Sequence, residues 1–149
     1  ISTNQIKMRT INLAIIMAIF TFASCDKETV VQDNDLPKEI SMFITTHFPS
    51  NKIIQSIKDR DGLELTYDIL LDGNIKLEFN SKKQIIDIES RDKLPNSVIP
   101  AKIIDYVSAN YPDHFITGWE LDNKHQQVKL NNGLELEFSM SGDFLRIDY

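Results

Sequence analysis

Residues 63–79 read LELTYDILLDGNIKLEF, and this stretch decides the fold. Apolar residues alternate with polar ones on both sides of Asp72, Gly73 and Asn74. Alternation with a period of two predicts a strand with one buried face. An Asp-Gly pair between two such runs predicts a hairpin. The segment therefore predicts two antiparallel strands joined by a tight turn.

The same pattern recurs nearer the C-terminus, where residues 126–138 read QQVKLNNGLELEF with a turn at Asn132 and Gly133. The similarity extends upstream, because a stretch with helical spacing between two prolines precedes each hairpin. Matching positions are Pro37 and Pro100, Ile40 and Ile103, Phe43 and Tyr106, and Pro49 and Pro112. Such a duplication predicts that one folding unit occurs twice.

Each predicted unit is a helix followed by four antiparallel strands. Leu36, Ile40, Phe43 and Ile44 fall at i, i+4, i+7 and i+8, which is one face of a helix, and Pro49 ends that helix. Further strands are predicted near residues 53–58, 85–89, 116–121 and 144–149. The predicted fold class is α+β: a tandem repeat of helix plus four-stranded antiparallel sheet, with the helices on one sheet face and the other face open.

The N-terminal residues are predicted to be an export signal. Lys7 and Arg9 precede an apolar run over residues 11–22, and the small pair Ala23 and Ser24 precedes Cys25. This arrangement resembles a bacterial lipoprotein signal, in which the cysteine is lipidated and becomes the mature N-terminus. Met8 is the predicted true start. The protein is therefore expected in the cell envelope, held by lipid on Cys25 in the outer membrane and facing the periplasm or the surface.

These patterns divide the chain into five predicted segments. They are a signal peptide over 1–24, the lipidated cysteine and an acidic solvated tether over 25–35, a first repeat over 36–90, a connection over 91–98 and a second repeat over 99–149.

Composition excludes several classes of function. The 149 residues have a formal net charge of −6, which argues against nucleic acid as a partner and against a basic lipid-binding face. Cys25 is the single cysteine, so the chain forms no internal disulfide and no cysteine-based metal cluster. His47, His114 and His125 fall on different predicted elements. No catalytic residue, metal ligand or cofactor is predicted.

The duplicated motifs resemble a known family. They are the Pro-to-aromatic-Pro helix, the Asp/Asn-Gly hairpin at Gly73 and Gly133, and the Leu-Glu-Phe strand ending at Phe79 and Phe138, behind a lipoprotein signal. Together they look like the PepSY-like, beta-lactamase-inhibitor-like (BLIP-like) proteins of the bacterial envelope. The resemblance covers residues 36–149. It implies a sheet that clamps a partner protein, and no inhibitory contact residue carries over from it.

The open sheet face is the predicted binding surface. Its predicted members are Thr66, Asp68, Glu78, Ile85 and Asp87 in the first half, and His125, Gln127, Lys129, Glu135, Glu137, Phe144 and Arg146 in the second. The aromatic residues and the charged face of the second half are not shared with the first half as a set, although Glu137 itself matches Glu78. The candidate partner-binding residues are therefore Trp119, His125, Phe144, Arg146, Glu135 and Glu137. Core packing is the alternative interpretation of Trp119.

The predicted function is non-enzymatic binding of a protein or peptide partner through this face, with inhibition of that partner as one form. Two alternatives stay open. The first is binding of a small ligand or a cation. The second is hydrolysis by Glu135 and Glu137, whose side chains share one strand face.

Overall fold

The computed structural model describes residues 27–148, and this part of the chain contains two α-helices, nine strands and two single-turn 3-10 helices. The elements are β1 Thr29–Val30, α1 Lys38–His47, β2 Ile53–Asp61, β3 Glu64–Leu71, β4 Ile75–Phe79, β5 Ile85–Glu89, α2 Ala101–Asn110, β6 Ile116–Leu121, β7 His125–Leu130, β8 Glu135–Ser139 and β9 Phe144–Asp148. The predicted signal peptide and the predicted lipidation of Cys25 lie outside the described residues.

All nine strands form one antiparallel sheet, and their order in space follows their order in sequence. The two halves of the chain meet where β5 pairs with β6, with Asp87 opposite Glu120 and Ile88 opposite Trp119. The two predicted four-stranded sheets are therefore parts of one continuous antiparallel sheet, and with the two helices it forms an open α+β architecture. Within residues 27–148, neither helix is long and apolar enough to cross a membrane.

Proline carbonyls begin both helices. The Pro37 oxygen accepts hydrogen bonds from the N–H groups of Ile40 at 3.0 Å and Ser41 at 3.2 Å. Pro37 thus precedes the first turn of α1, where its missing N–H costs nothing. At the other end, the Phe48 N–H donates to the Ile44 oxygen at 2.8 Å. Pro100 and Tyr111 play the same parts around α2.

Aromatic contacts hold both helices on the same sheet face. Phe43 of α1 meets Phe79 edge-on at 5.3 Å, and Tyr106 of α2 meets Phe138 edge-on at 5.4 Å. Beneath them, buried side chains pair in register across six strands: Ile69, Leu77, Ile88, Trp119, Val128 and Leu136. This continuous apolar row joins the halves into one hydrophobic core. The opposite face has no helix on it in the described part of the chain.

A β-bulge in β9 reverses the predicted orientation of Phe144. Glu137 pairs with Arg146, but the next residue, Phe138, pairs with Phe144, so Leu145 is an extra residue. The extra residue interrupts the alternation. Phe144 therefore stacks on Tyr106 of α2 with ring centroids 4.6 Å apart. The prediction that Phe144 lies on the open face is wrong for this reason.

The same irregularity occurs in β5. Glu78 pairs with Asp87, and Phe79 pairs with Ile85, which leaves Ile86 as the extra residue. Ile85 consequently packs against the core on the helix side. Its predicted position on the open face is also wrong, and the physical cause is again the bulge.

Two boundaries differ from the prediction. The expected solvated tether joins the fold from residue 29, because β1 pairs with β2 and the Val31 N–H donates to the Ser56 oxygen at 2.8 Å. A β-branched segment there covers the edge of β2, whose backbone groups would otherwise be unpaired. Leu63, expected within a strand, instead lies in the β2–β3 turn beside Gly62, whose φ is +59°.

Candidate functional site

Six polar side chains lie opposite one another across the open face. In strand order they are Asp68, Glu78, Asp87, Glu120, Gln127 and Glu137, and each is the register partner of the next. We call this set the acidic row. Because side chains on neighbouring strands are about 5 Å apart at Cβ when directly opposite, the carboxylates of the row are close neighbours.

The acidic row lies directly behind the apolar row of the core. Asp68 precedes Ile69, Asp87 precedes Ile88, and Glu120 follows Trp119, so each pair of adjacent residues contributes one side chain to each face. The strand period of two enforces this arrangement wherever the ladder is regular. The pairing register that builds the core therefore also aligns the carboxylates.

Among the carboxyl groups of the row, Asp87 has the most strongly raised pKa. Partial burial raises the pKa of its carboxyl group to about 6, and the neighbouring charges of Glu89, Glu120 and Glu78 add to this effect. The backbone N–H of Ile88 opposes it by hydrogen bonding to the carboxylate. Burial, and after it the neighbouring like charges, thus makes the charged form of Asp87 unfavourable at this position.

The same causes act on its two predecessors in the row. Burial, followed by the charges of Asp59 and Glu28, raises the pKa of Asp68. Burial, followed by the charge of Asp68, also raises the pKa of Glu78. The first half of the acidic row is thus a set of mutually repelling carboxylates.

Arg146 compensates Glu137, the last member of the row, and His125 lies beside the same carboxylate. Arg146 Nη2 lies 2.6 Å from Glu137 Oε2, and His125 Nδ1 lies 3.1 Å from Glu137 Oε1. The Glu137 side chain is buried, and Arg146 donates to it through Nε as well at 2.7 Å. Such charge-assisted contacts satisfy a buried carboxylate.

Glu135 is engaged too. Lys129 Nζ lies 3.2 Å from its Oε1, and Gln127 Nε2 donates to its Oε2 at 3.3 Å. By contrast, none of the ion pairs found among residues 27–148 includes Asp68, Glu78, Asp87 or Glu120. These four residues therefore carry negative charge on the open face without a cationic partner in the described part of the chain.

Depressions of the surface follow the row. One of about 430 Å³ is lined by Asp68, Glu78 and Asp87 together with apolar and charged neighbours. Another of about 160 Å³ is lined by Glu120, Glu137 and other polar groups of the second half. Both are open to solvent on the sheet face, which suits an extended partner surface better than an enclosed small molecule.

The structure brings together some of the predicted site residues and separates others. His125, Glu137 and Arg146 form one cluster, and Glu135 shares their face. Trp119 is buried in the core, where its Nε1 donates to Gln126 Oε1 at 3.1 Å. Its candidate role as an exposed aromatic anchor is therefore wrong, and the core interpretation holds.

The uncompensated acids were not among the predicted partner-binding residues. Strand alternation predicted that Asp68, Glu78 and Asp87 lie on the open face, but it gave no reason to choose them as binding residues. Glu120 was not predicted to lie on that face. The available signal was that Glu120 follows the inward Trp119 on a strand. Which residues of neighbouring strands stand opposite one another depends on register and bulges, and the sequence of one strand does not contain that information.

Comparison with known proteins identifies the family. The family model described as "Putative beta-lactamase-inhibitor-like, PepSY-like" matches residues 22–87 and residues 65–146. The chain belongs to this PepSY-like family. The resemblance expected from the duplicated motifs is thereby confirmed. No curated protein matches this PepSY-like chain.

Three solved structures are similar to this PepSY-like protein. A "putative periplasmic protein" of the DUF2874 family from Bacteroides vulgatus is 34% identical, with a TM-score of 0.78, covering 84% of this chain and 99% of its own. A "putative calcium-regulated periplasmic protein" from Bacteroides thetaiotaomicron is 30% identical, with a TM-score of 0.78 and coverages of 82% and 97%. A second B. vulgatus periplasmic protein, of unknown function, is 32% identical, with a TM-score of 0.78 and coverages of 83% and 100%.

Proposed function

We propose that this PepSY-like protein is a non-enzymatic binding protein of the cell envelope that docks a basic segment of a partner protein or peptide on its acidic row. One observation carries the proposal. Asp68, Glu78, Asp87 and Glu120 stand in register on an open sheet face with no cationic partner among the described residues.

A basic partner relieves an existing repulsion. Directly opposed like charges destabilise a sheet. The raised pKa values of Asp68, Glu78 and Asp87 reflect burial first and these like charges second. Lysine or arginine side chains laid along the row form charge-assisted hydrogen bonds and remove that cost. Complementary charge of this kind chiefly sets the partner's specificity and its rate of association.

A hydrolytic role for Glu135 and Glu137 has little support in the geometry. Arg146 and His125 engage Glu137, and Lys129 engages Glu135. These contacts connect β7, β8 and β9, so both glutamates stabilise the pairing of these strands. We therefore propose that the protein binds its partner without chemical turnover, in line with a family described as inhibitor-like.

The cell envelope is the proposed location. The two Bacteroides relatives at 34% and 30% identity are described as periplasmic. The segment from Lys7 to Cys25 has the pattern of a lipoprotein signal. We propose that Cys25 is acylated and that the acyl chains hold the protein in the outer membrane.

The two halves are proposed to be copies of one helix-plus-four-strand unit. Each half contains a helix bounded by a proline and an aromatic residue, followed by four strands. The register shifts also fall at matching places, after Glu78 and after Glu137, and again between Ile53 and Gln55 and between Ile116 and Gly118. Bulges at equivalent positions support descent from a single unit.

Site-specific photocrosslinking in cells tests the binding face. A photoreactive amino acid replaces Glu120, which is exposed in the middle of the acidic row, and in a second strain it replaces Asp105, which is exposed on α2. We expect a discrete crosslinked species from position 120 and none from position 105. Crosslinks of equal yield from both positions, or from position 105 alone, contradict docking on the open face.

Neutralising the row tests the electrostatic basis. Asp68→Asn, Glu78→Gln and Asp87→Asn are combined with the photoreactive residue at position 120. A matched variant combines Glu39→Gln, Asp105→Asn and Asp113→Asn, three exposed acids outside the row. We expect the first set to reduce the crosslink at least tenfold and the matched set to leave it unchanged. Equal yields would mean that the acidic row does not recognise the partner.

Calcium binding at the same row is the second candidate. The B. thetaiotaomicron relative is described as calcium-regulated, and calcium prefers carboxylate oxygens. Within residues 27–148, no three side chains of His, Cys, Asp or Glu are placed to hold one ion. A calcium ion would therefore bind loosely, between carboxylates of two neighbouring strands and water.

Thermal unfolding separates calcium from protein binding. At millimolar calcium we expect the melting temperature of the unmodified protein to rise if calcium binds the row, and the triple neutralised variant to show no rise. The matched variant at residues 39, 105 and 113 should respond like the unmodified protein. A melting temperature that is unmoved by calcium eliminates this candidate and leaves partner binding in place.

A further inference from the structure

The described chain begins at one particular end of the sheet. Thr29 pairs with Lys58, and the Lys27 N–H donates to the Arg60 oxygen at 3.2 Å. Lys27 therefore lies beside the last residues of β2, just before the β2–β3 turn. Cys25 precedes Lys27 by two residues in the sequence, and two residues span at most about 7 Å.

The β2–β3 turn presents an apolar side chain at its tip. Leu63 is fully solvent-exposed, with a relative accessibility of 104%. The adjacent Gly62 has no atom beyond its chain neighbours within 4 Å of where a Cβ would lie, so nothing packs against the turn at this point. Asp61 and Glu64 lie on either side of the turn in the sequence. Arg60, near the end of β2, is paired with Lys27 through the Lys27 N–H.

A second turn lies at the same end of the sheet. Antiparallel strands reverse direction at each step, so the β4–β5 turn, residues 80–84, emerges on the same side as the β2–β3 turn. It carries Lys82, which is exposed, and Lys83. Neighbouring strands are rotated by about 20–25° relative to one another. The turns at this end that come later in the sequence therefore point in directions increasingly different from that of the β2–β3 turn.

We propose that this end of the sheet, formed by Lys27, Arg60, Leu63, Lys82 and Lys83, rests on the phospholipid bilayer. We call it the anchor-end surface. The inference builds on the proposed acylation of Cys25, because a lipid on that residue brings the β2–β3 turn to the membrane. Leu63 then enters the interfacial layer, and Lys82 and Lys83 reach the headgroups.

This orientation gives the acidic row a defined position. Asp68 lies five residues beyond Leu63 on β3, which corresponds to about 17 Å along the strand. The carboxylates are thus held above the headgroups and face sideways, where a partner outside the bilayer reaches them. The overall negative charge argued against a basic lipid-binding face, and this end is mixed in charge, because Asp61 and Glu64 accompany its cations. The proposed contact therefore rests on Leu63 and on the acyl chains, with Lys82 and Lys83 at the headgroups, and not on a net positive charge.

Depth-dependent fluorescence quenching tests the inference on the full lipidated chain in phospholipid vesicles. With the Cys25 thiol consumed by acylation, Leu63→Cys supplies a single thiol for an environment-sensitive fluorophore. The matched variant is Lys52→Cys, exposed at the opposite end of β2. We expect brominated lipids to quench the label at position 63 at least threefold more strongly than the label at position 52.

The outcomes distinguish the anchor from the orientation. A protein that floats with the vesicles but shows equal quenching at both positions retains its anchor and overturns the proposed orientation. A protein that does not float with the vesicles overturns the anchor and the inference that rests on it. Stronger quenching at position 52 would place the opposite end of the sheet on the membrane and would also overturn the proposal.

Discussion

At the scale of single residues, Trp119 and Ser56 differ in whether their buried polar group has a hydrogen-bond partner. Both are buried on the core face of the sheet. Trp119 belongs to the apolar row, opposite Val128, and Ser56 lies next to the end of that row, opposite Ile69. The indole N–H of Trp119 has a partner in Gln126, whereas Ser56 Oγ has none in the described structure. A buried hydroxyl without a partner costs stability, so the first half is the less optimised one here.

Replacing these two residues should have opposite effects. Trp119→Phe removes the donor to Gln126 Oε1 and leaves that buried oxygen unpaired, so we expect the free energy of unfolding to fall by about 1–3 kcal/mol. Ser56→Ala removes the unpaired hydroxyl and should leave stability unchanged or slightly higher. Urea denaturation measures both. A larger loss for Ser56→Ala than for Trp119→Phe would contradict the assigned hydrogen bonding.

Asp87 should make stability depend on pH. Its pKa in the folded protein is about 6, above the ordinary value of 3.8, so between these values the folded state binds the proton more tightly. The stability due to protonated Asp87 is complete below pH 4 and is lost as the pH rises through 6.

Asp87→Asn isolates this effect. We expect the variant to be more stable than the unmodified protein near pH 7, by about 1 kcal/mol after allowing for solvent screening, and to lose that advantage near pH 4. Asp105→Asn on the exposed face of α2 is the control, and its effect should not vary in this way. Denaturation midpoints across this pH range provide the measurement. A constant difference for Asp87→Asn would refute the raised pKa of this carboxyl group.

At the scale of secondary structure, the N-terminal segment and the bulges are the informative elements. Val31 donates its N–H to Ser56 and packs partly buried against the core, while Val30, one residue earlier, is 72% exposed. Residues 29–31 therefore form the edge of the sheet and are not a solvated spacer. A covered edge also protects β2 from pairing with other chains.

Paired substitutions test this segment. Val31→Asp buries a charge against the apolar core, so we expect the free energy of unfolding to fall by roughly 2 kcal/mol or more. Val30→Asp places the same charge in solvent and should change stability by less than about 0.5 kcal/mol. Thermal or urea unfolding compares them. Two variants of equal stability would mean that residues 29–31 are not held against β2.

Sequence patterns predicted the regular elements well. The helix around Ile40 and the strand ending at Phe79 both form near their predicted positions, because periodicity and proline boundaries are local properties. The bulges at Ile86 and Leu145 were not predictable in this way. An extra residue in a strand is chosen by the pairing with its neighbour and by packing against the helix, as Phe144 on Tyr106 illustrates.

At the scale of the whole molecule, the join between β5 and β6 makes one core from two halves. Ile88 is fully buried and lies opposite Trp119 across this join. Because the apolar row crosses it without interruption, unfolding of either half exposes the core of the other. We therefore expect residues 27–148 to unfold in a single cooperative transition.

Two probes test this cooperativity. Fluorescence of Trp119, which reports on the second half, and far-UV circular dichroism, which reports on all strands, should give coincident urea transitions. Ile88→Ala should lower both midpoints together and reduce the free energy of unfolding by about 2–4 kcal/mol. Ile54→Ala, at a residue that is 62% exposed, is the control and should have a small effect. Separate transitions for the two probes would show that the halves unfold independently.

The sequence by itself determined the helices, the hairpins, the alternation of the strands and the membership of the PepSY-like family, because each depends on neighbours along the chain. Only the tertiary structure decided that Asp68, Glu78, Asp87 and Glu120 form one uncompensated row. Their alignment depends on strand register, on the bulge in β5 and on the join between the halves. These are set by burial of the shared core, so residues far apart in sequence fix where each carboxylate stands.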